Sequence, residues 1–293
     1  MNPAVPVPSP GIIATPPAFA TPQPTPSSER SVLRDGLVAA GAQARALDGM
    51  LGAVVIDLTS GAVGELNGDV SLPMESVQKL LIAIVAYEEA DRNTLPLDRV
   101  VTIDPADVVT TVSPIGAAYA TTKSYTVRQL IGAMLVDSDN TAANALIRAE
   151  GGIDALNAAI RDLGFEKIVA GADDKGVATP VELARVLTEL SDGHLLRSAS
   201  RTALLSTLAR VQTFPNRLRA GLPDHSQLAH KTGTSVTLSG VTAATNDVGI
   251  ATIYGRRMIV VAMLSGAKGT PEQRDAILAA VARAAAGAVS SNL

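Results

Sequence analysis

Apolar residues recur along the chain in two rhythms, and the changes between them mark out its parts. Leu33, Leu37, Ala40, Ala44 and Leu47 fall on one side at helical spacing, which predicts a helix over 31–48. Leu51 to Leu58 is rich in β-branched residues, and Gly61 opens a turn into a second short strand ending near Leu66, so this stretch reads as a hairpin. The run Leu80-Leu81-Ile82-Ala83-Ile84-Val85-Ala86-Tyr87 follows. It is apolar on nearly every side, the mark of a helix buried all round whose polar end emerges at a surface or cleft. Pro73 and Glu75 place its start near 73–75, since proline and an acid both suit a first turn. Residues 97–113 mix extended pieces with turns. Helical spacing returns from Val127 to Val136, from Thr141 to Ala149 and from Ile153 to Leu163, with Gly164 as the C-terminal cap. Thr179-Pro180 starts a further helix up to Leu190, and Ser198 to Leu208 is another. The rhythm then changes to strands, from Ser226 to Lys231, Asp247 to Tyr254 and Met258 to Leu264, the last two joined by a tight turn at Gly255-Arg256. An alanine-rich helix from Pro271 to Ala286 ends the pattern.

Strands near both ends therefore flank a helical middle. The simplest assembly is an α/β (α+β) fold: one antiparallel sheet built from both chain ends and flanked by helices, with an all-α domain inserted. The expected division is a Pro-rich disordered spacer over 1–30, a sheet domain from 31–70 and 215–293, and a helical domain over 71–214. The spacer holds 9 of the 17 prolines. It lacks the basic and apolar regions of a secretory signal, although Ala18-Phe19-Ala20 has the small-x-small form of a cleavage site.

Composition narrows the chemistry. The chain has 293 residues, 47% hydrophobic and only 2% aromatic, so its core must be built from Ala, Val, Leu and Ile. A net charge of -4 with no long basic run argues against nucleic acid or an anionic membrane as partner. The absence of cysteine excludes disulfides, thiolate metal sites and a thiol nucleophile. His194, His225 and His230 show no metal-ligand spacing, and no span is apolar for long enough to cross a bilayer. No metal or cofactor is expected.

Three polar triplets remain as candidates. Ser76 and Lys79 stand at i and i+3 at the head of the apolar helix, one above the other on the same face. A serine hydroxyl needs a base to become nucleophilic, and a lysine serves once burial or a second cation lowers its pKa. A serine in a first helical turn also has free backbone N–H groups beside it for a developing oxyanion. Ser138-Asp139-Asn140 lies between two helices, and Lys231-Thr232-Gly233 ends a strand, where glycine permits close approach of a ligand. Each triplet alone has an ordinary reading: a chance pair, a loop with a helix cap, a strand end.

In this order they form a signature, Ser-x-x-Lys, Ser-Asp-Asn and Lys-Thr-Gly, that resembles the class A β-lactamases and penicillin-binding proteins. The neighbouring text is similar as well: Tyr125-Thr126-Val127, Asp137-Ser138-Asp139-Asn140-Thr141-Ala142-Ala143-Asn144, His230-Lys231-Thr232-Gly233-Thr234 and Asn246-Asp247-Val248-Gly249-Ile250. The resemblance runs from about residue 31 to the C-terminus. It implies that Ser76 is acylated, that Lys79 helps take its proton, and that Ser138 bridges the two lysines and relays a proton to the leaving nitrogen. It also implies that Asn140 binds the substrate's side-chain amide, that Lys231, Thr232 and Thr234 meet the substrate carboxylate beside Gly233, and that the N–H groups of Ser76 and Thr234 form the oxyanion hole. Arg217 is a further candidate for carboxylate binding, against a plain solvated arginine; for Arg219 the solvated reading is the better one. The resemblance implies a monomer acting on a small molecule, a β-lactam or a D-alanyl-D-alanine peptide, in the periplasm or outside the cell, with the N-terminal spacer available as a tether to the envelope.

Two departures from the family pattern matter. No Glu-x-x-Leu-Asn run occurs between Gly164 and Thr179, so the family's water-activating glutamate has no match; Glu166 directly follows the helix end and reads as a surface acid. Asp173 or Asp174 could approach the site, but nothing in the spacing demands it. Val112 stands before Ser113-Pro114 where an aromatic often walls the cleft. The expectation is complete acylation machinery with slow deacylation. Two rivals stand beside a β-lactamase: a D-alanyl-D-alanine carboxypeptidase, and a sensor module that is acylated without turnover.

Overall fold

The computed structural model describes residues 27–291. Its centre is an antiparallel sheet with strands β1 (Met50–Asp57), β2 (Val63–Leu66), β3 (Gln227–Thr234), β4 (Val241–Ile253) and β5 (Arg256–Ala267), in the order β2-β1-β5-β4-β3. A two-residue strand, Thr237–Leu238, adds to β4 beyond β3. The two chain ends meet in the register Val54↔Val261 and Ile56↔Ile259, so the N-terminal hairpin pairs with a strand about two hundred residues later. The β4–β5 turn is tight because Tyr254 and Gly255 both take positive φ, +47° and +81°. Such a pair matches the twist of the flanking strands. It lies one residue earlier than the sequence reading placed it.

Alternation along β5 builds two cores from one strand. Met258, Val260, Ala262 and Leu264 face α1 (Ser27–Ala46) and the C-terminal helix α8 (Pro271–Ser290). Ile259, Val261 and Met263 face the helical middle. That middle holds α2 (Gln78–Asp91), α3 (Val127–Val136), α4 (Asn140–Ala149), α5 (Ile153–Asp162), α6 (Pro180–Asp192) and α7 (Ser198–Leu208). The caps follow the sequence. Thr126 and Gln129 form a reciprocal box at α3, Asp139 accepts from Ala142 N at 2.8 Å to start α4, and Thr179 with Pro180 starts α6. Every residue of α2 from Gln78 to Tyr87 is buried, as a run without a polar face requires.

Three features differ from the sequence reading. The Pro-rich spacer expected over 1–30 falls largely outside the described residues, as does its suggested tether, and residues 27–30 belong to α1. Glu29 fixes that first turn: it is fully buried and accepts from Arg256 Nη2 at 2.8 Å and Ser60 Oγ at 3.1 Å. The helix expected to start at 73–75 opens with a separate 3₁₀ turn, Glu75–Val77, entered through Glu75 at φ +50°, before α2 proper. Short ribbons complete the frame: Val100–Thr102, within the stretch read as extended pieces, with Ser124–Thr126, and, unannounced in the sequence, Leu72–Pro73 with Val177–Ala178, the latter strand also pairing with Ile168–Val169. The second set controls the site.

Candidate active site

Ser76 rides on the 3₁₀ turn, with Lys79 one turn further along in α2. Lys79 Nζ lies 2.8 Å from Ser76 Oγ, so the i, i+3 spacing read from the sequence becomes a direct hydrogen bond. Strand β3 closes the other side. Gly233 lies so near the serine turn that a Cβ there would stand 2.6 Å from Met74 O and 3.2 Å from Ser76 N. Only glycine permits that approach. Asn246, on the neighbouring strand, fastens the same turn by donating Nδ2 to Pro73 O at 2.8 Å and Met74 O at 3.0 Å.

Ser138 joins the two lysines. Its hydroxyl lies 3.4 Å from Lys79 Nζ and 3.1 Å from Lys231 Nζ. The residue sits at φ +58°, a strained position for a side-chain-bearing residue, and its carbonyl accepts from Lys79 at 2.9 Å. Asn140 Oδ1 also takes a close hydrogen bond from Lys79. Between them Asp139 is fully buried and does a different task. It accepts from Ser113 Oγ and Ala142 N, each at 2.8 Å, and from Ile115 N at 2.7 Å, clamping the 113–115 turn to the head of α4. Val112, just before that turn, is 67% exposed and offers little wall to the cleft.

The loop between α5 and α6 supplies what its sequence did not announce. Its return strand pairs with Leu72–Pro73, and Met74 N donates to Gly176 O at 2.8 Å. This lays residues 172–176 beside the serine turn. Asp174, at φ +60°, places Oδ2 2.7 Å from Ser76 Oγ and 2.8 Å from Lys79 Nζ. Gln78 holds the loop in place: its Nε2 donates to Asp174 Oδ1 at 3.1 Å and to Gly171 O at 2.9 Å, and its Oε1 accepts from Gly171 N at 3.1 Å. Glu166 is exposed on the surface. The carboxylate beside Ser76 therefore comes from a residue for which spacing gave no reason to choose it.

Charge in the site is set by burial against neighbours. Lys79 and Lys231 are both fully buried. Burial lowers the Lys79 pKa, and Asp174 opposes that shift. Burial, reinforced by the charge of Lys79, brings Lys231 down to about 7. Lys231 also donates to Thr232 O at 2.8 Å, and Thr232 Oγ1 lies 2.7 Å from Thr213 Oγ1. Arg217 is no solvated arginine. It is 2% exposed, with Nε on Asp275 at 2.7 Å, Nη1 on Gly233 O and Asn246 O, and Nη2 on Thr234 Oγ1 at 2.7 Å. It stands behind Thr234 and orients that hydroxyl. Arg219 donates to Ser226 O at 2.7 Å, away from this cluster of contacts.

A hydroxyl held by a buried lysine and a carboxylate, with a second serine between two lysines and glycine backbone opposite, defines a serine hydrolase fold of the class A β-lactamase and penicillin-binding type. Comparison with known proteins agrees. A model described as the beta-lactamase enzyme family matches residues 38–289, and the chain belongs to that family. Beta-lactamase L2 of Stenotrophomonas maltophilia is 31% identical over 254 residues, covering 82% of this chain and 82% of the relative. Extended-spectrum beta-lactamase PER-1 of Pseudomonas aeruginosa is 30% identical over 234 residues, covering 75% and 76%. A crystal structure of a beta-lactamase from Chitinophaga pinensis superposes with a TM-score of 0.82 at 28% identity, over 87% of this chain and 99% of that one.

Proposed function

We propose that the protein opens β-lactam amides through an acyl-enzyme on Ser76, and that Asp174 governs the release of the acyl group. The observation that carries this is the placement of Ser76 Oγ at 2.8 Å from Lys79 Nζ and 2.7 Å from Asp174 Oδ2. In acylation the Ser76 proton passes to the Lys79–Asp174 pair as Oγ bonds to the lactam carbonyl carbon. The carbonyl oxygen becomes an oxyanion against backbone N–H groups, a stabilisation worth about 3 kcal/mol per donor. As the C–N bond breaks, the nitrogen takes a proton from Ser138 Oγ, which is resupplied from a lysine ammonium. Lys231, with Thr232 and Thr234 beside it, meets the substrate carboxylate, and Asn140 meets the side-chain amide.

In deacylation a water must stand between Asp174 and the ester carbon, give its proton to Asp174 and displace Oγ, which recovers a proton. In the free protein Asp174 accepts directly from Ser76 Oγ at 2.7 Å; acylation removes that donor, so the carboxylate, still held on its other oxygen by Gln78 at 3.1 Å, must shift to admit the water. Deacylation is therefore the slow step. Intact-protein mass spectrometry after brief exposure to benzylpenicillin tests the reading, with Ser76→Ala as control. The expected result is one adduct on the native chain, none on the variant, and a nitrocefin burst followed by slower turnover. Absence of an adduct on the native chain sinks the acyl-enzyme itself.

A D-alanyl-D-alanine carboxypeptidase is the second reading, favoured by the missing Glu-x-x-Leu-Asn run. Release of D-alanine from a dipeptide-ended substrate, faster than nitrocefin turnover, selects it. Stoichiometric labelling with neither activity selects the sensor.

A further inference from the structure

The site does not end at Asn140. A hollow of about 100 Å³ is lined by Gln78, Val109, Asn140, Ala143, Ile147 and Asp174, with Asn144. A larger hollow of about 480 Å³ adjoins it, with Asn144 and Ile147 in the wall of both. That volume is within the usual range for ligand pockets, about 300–1,000 Å³. Asn140, Ala143, Asn144, Ile147, Arg148 and Gly151 fall at i, i+3, i+4, i+7, i+8 and i+11, so one face of α4 and its C-terminal extension floors both hollows. From Asn140 to Gly151 this floor runs about 16 Å, at 1.5 Å per residue. The banks are low. One is the 105–109 segment, with Ala106 and Val109, and the other is the short loop, which offers Ala172.

We infer that this groove is a subsite for the acyl arm of the substrate, and that it takes an extended, peptide-like arm with short apolar side chains. The inference rests on the acyl-enzyme reading, because it needs the arm to leave the reacting centre past Asn140. Continuity supports it: the groove begins at residues that touch Lys79 and Ser76. So does its chemistry. Asn144 donates Nδ2 to Asp107 O at 3.1 Å, which leaves Oδ1 midway along the groove as an acceptor for an amide N–H. Beyond it the lining is Ala106, Ile147, Gly151, Gly152, Ile153 and Ala172, small or apolar throughout. Arg148 adds no net cation there, since Asp107 pairs with it at 2.7 Å. The groove is thus suited to an uncharged chain rather than an anionic one.

Three penicillins that share a nucleus and differ in the arm decide the matter: N-acetyl, phenylacetyl and N-acetyl-alanyl-alanyl. The second-order rate of adduct formation is read by mass spectrometry for the native chain and for Ala106→Trp and Ala172→Trp, whose exposed positions stand on opposite banks. The dipeptidyl arm is expected to acylate about tenfold faster than the acetyl arm, a tenfold ratio being about 1.4 kcal/mol. In both tryptophan variants the ratio of the two rates is expected to fall to about one, as the groove is filled. A dipeptidyl rate no higher than the acetyl rate in the native chain, or a ratio that survives both tryptophans, overturns the subsite and leaves the acyl-enzyme standing. No adduct with any of the three overturns both.

Discussion

Lys79 and Lys231 are buried alike and reach the same serine hydroxyl, yet their surroundings differ. Lys79 meets a carboxylate at 2.8 Å, whereas Lys231 makes its hydrogen bonds to neutral groups, Ser138 Oγ and Thr232 O. For Lys79 the cost of burial is partly cancelled by Asp174; for Lys231 it is increased by the nearby ammonium and its pKa falls to about 7. Burial alone pushes a lysine toward neutrality, and the identity of the neighbour decides how far. Two lysines on one serine hydroxyl can therefore hold different protonation states at one pH.

Removing Lys79 strikes this arrangement hardest. Lys79→Ala takes away the amine that holds Ser76 and leaves Asp174 to Gln78 and the serine alone. Adduct formation with benzylpenicillin is expected to fall about 10²- to 10⁴-fold, the usual range for a lost general base. A loss under tenfold would show that Asp174 takes the serine proton unaided.

Asp174→Asn separates the two half-reactions. Loss of the base is expected to lengthen the lifetime of the adduct about 10²-fold. Asp174 holds the Lys79 pKa up, so its removal lets that pKa fall further. The acid limb of the acylation profile, which reports neutral Lys79, should therefore move to lower pH. A limb that stays in place while deacylation slows would mean that Lys79 is not the titrating base.

Lys231 gives a milder effect. Its ammonium predominates below about pH 7 and is lost above it, so KM for a carboxylate-bearing β-lactam should rise about tenfold as pH climbs through that value. Lys231→Arg, always charged, should flatten the rise. An unchanged KM slope in the arginine variant would assign the titration to another group.

The smallest effect tests burial with no partner at all. Both carboxyl oxygens of Glu150 are buried without a hydrogen bond, and burial, followed by the charge of Glu89, holds its pKa well above the ordinary carboxylate value of 4.5. A group with a raised folded pKa contributes stability that is full below its unfolded pKa and is lost as pH rises. Glu150→Gln, which has no proton to lose, is expected to raise unfolding free energy at neutral pH by about 1.4 kcal/mol for each pH unit above the unfolded pKa, up to the raised folded one. The gain should shrink toward zero as pH falls below 4.5, the ordinary value for a glutamate. Urea melts at three pH values would show it, and a gain independent of pH would contradict the cause.

The linear order of residues set a large part of this molecule. The helices from Val127 to Val136 and from Ser198 to Leu208 have the bounds their apolar spacing predicts. The two-faced β5 and the buried apolar run of α2 follow from local pattern, as does the hydrogen bond between Ser76 and Lys79, which lie within one turn. Motif order was enough to point to the family. The α1 start was hidden because residues 27–30 carry no apolar stripe, and are held by Glu29 contacts with Ser60 and Arg256 that lie far away in sequence.

Asp174 and the groove along α4 could be decided only in three dimensions. Neither a cap, a period nor a spacing marks that aspartate. It reaches Ser76 because Val177–Ala178 pairs with Leu72–Pro73, ninety-eight positions separating the two side chains that meet. The groove likewise exists because the segments of residues 105–109 and 172–174 are folded onto opposite sides of one helical face. A sequence records which groups are available within a turn or a strand; long-range pairing fixes which of them meet, because each such contact depends on the packing of everything between.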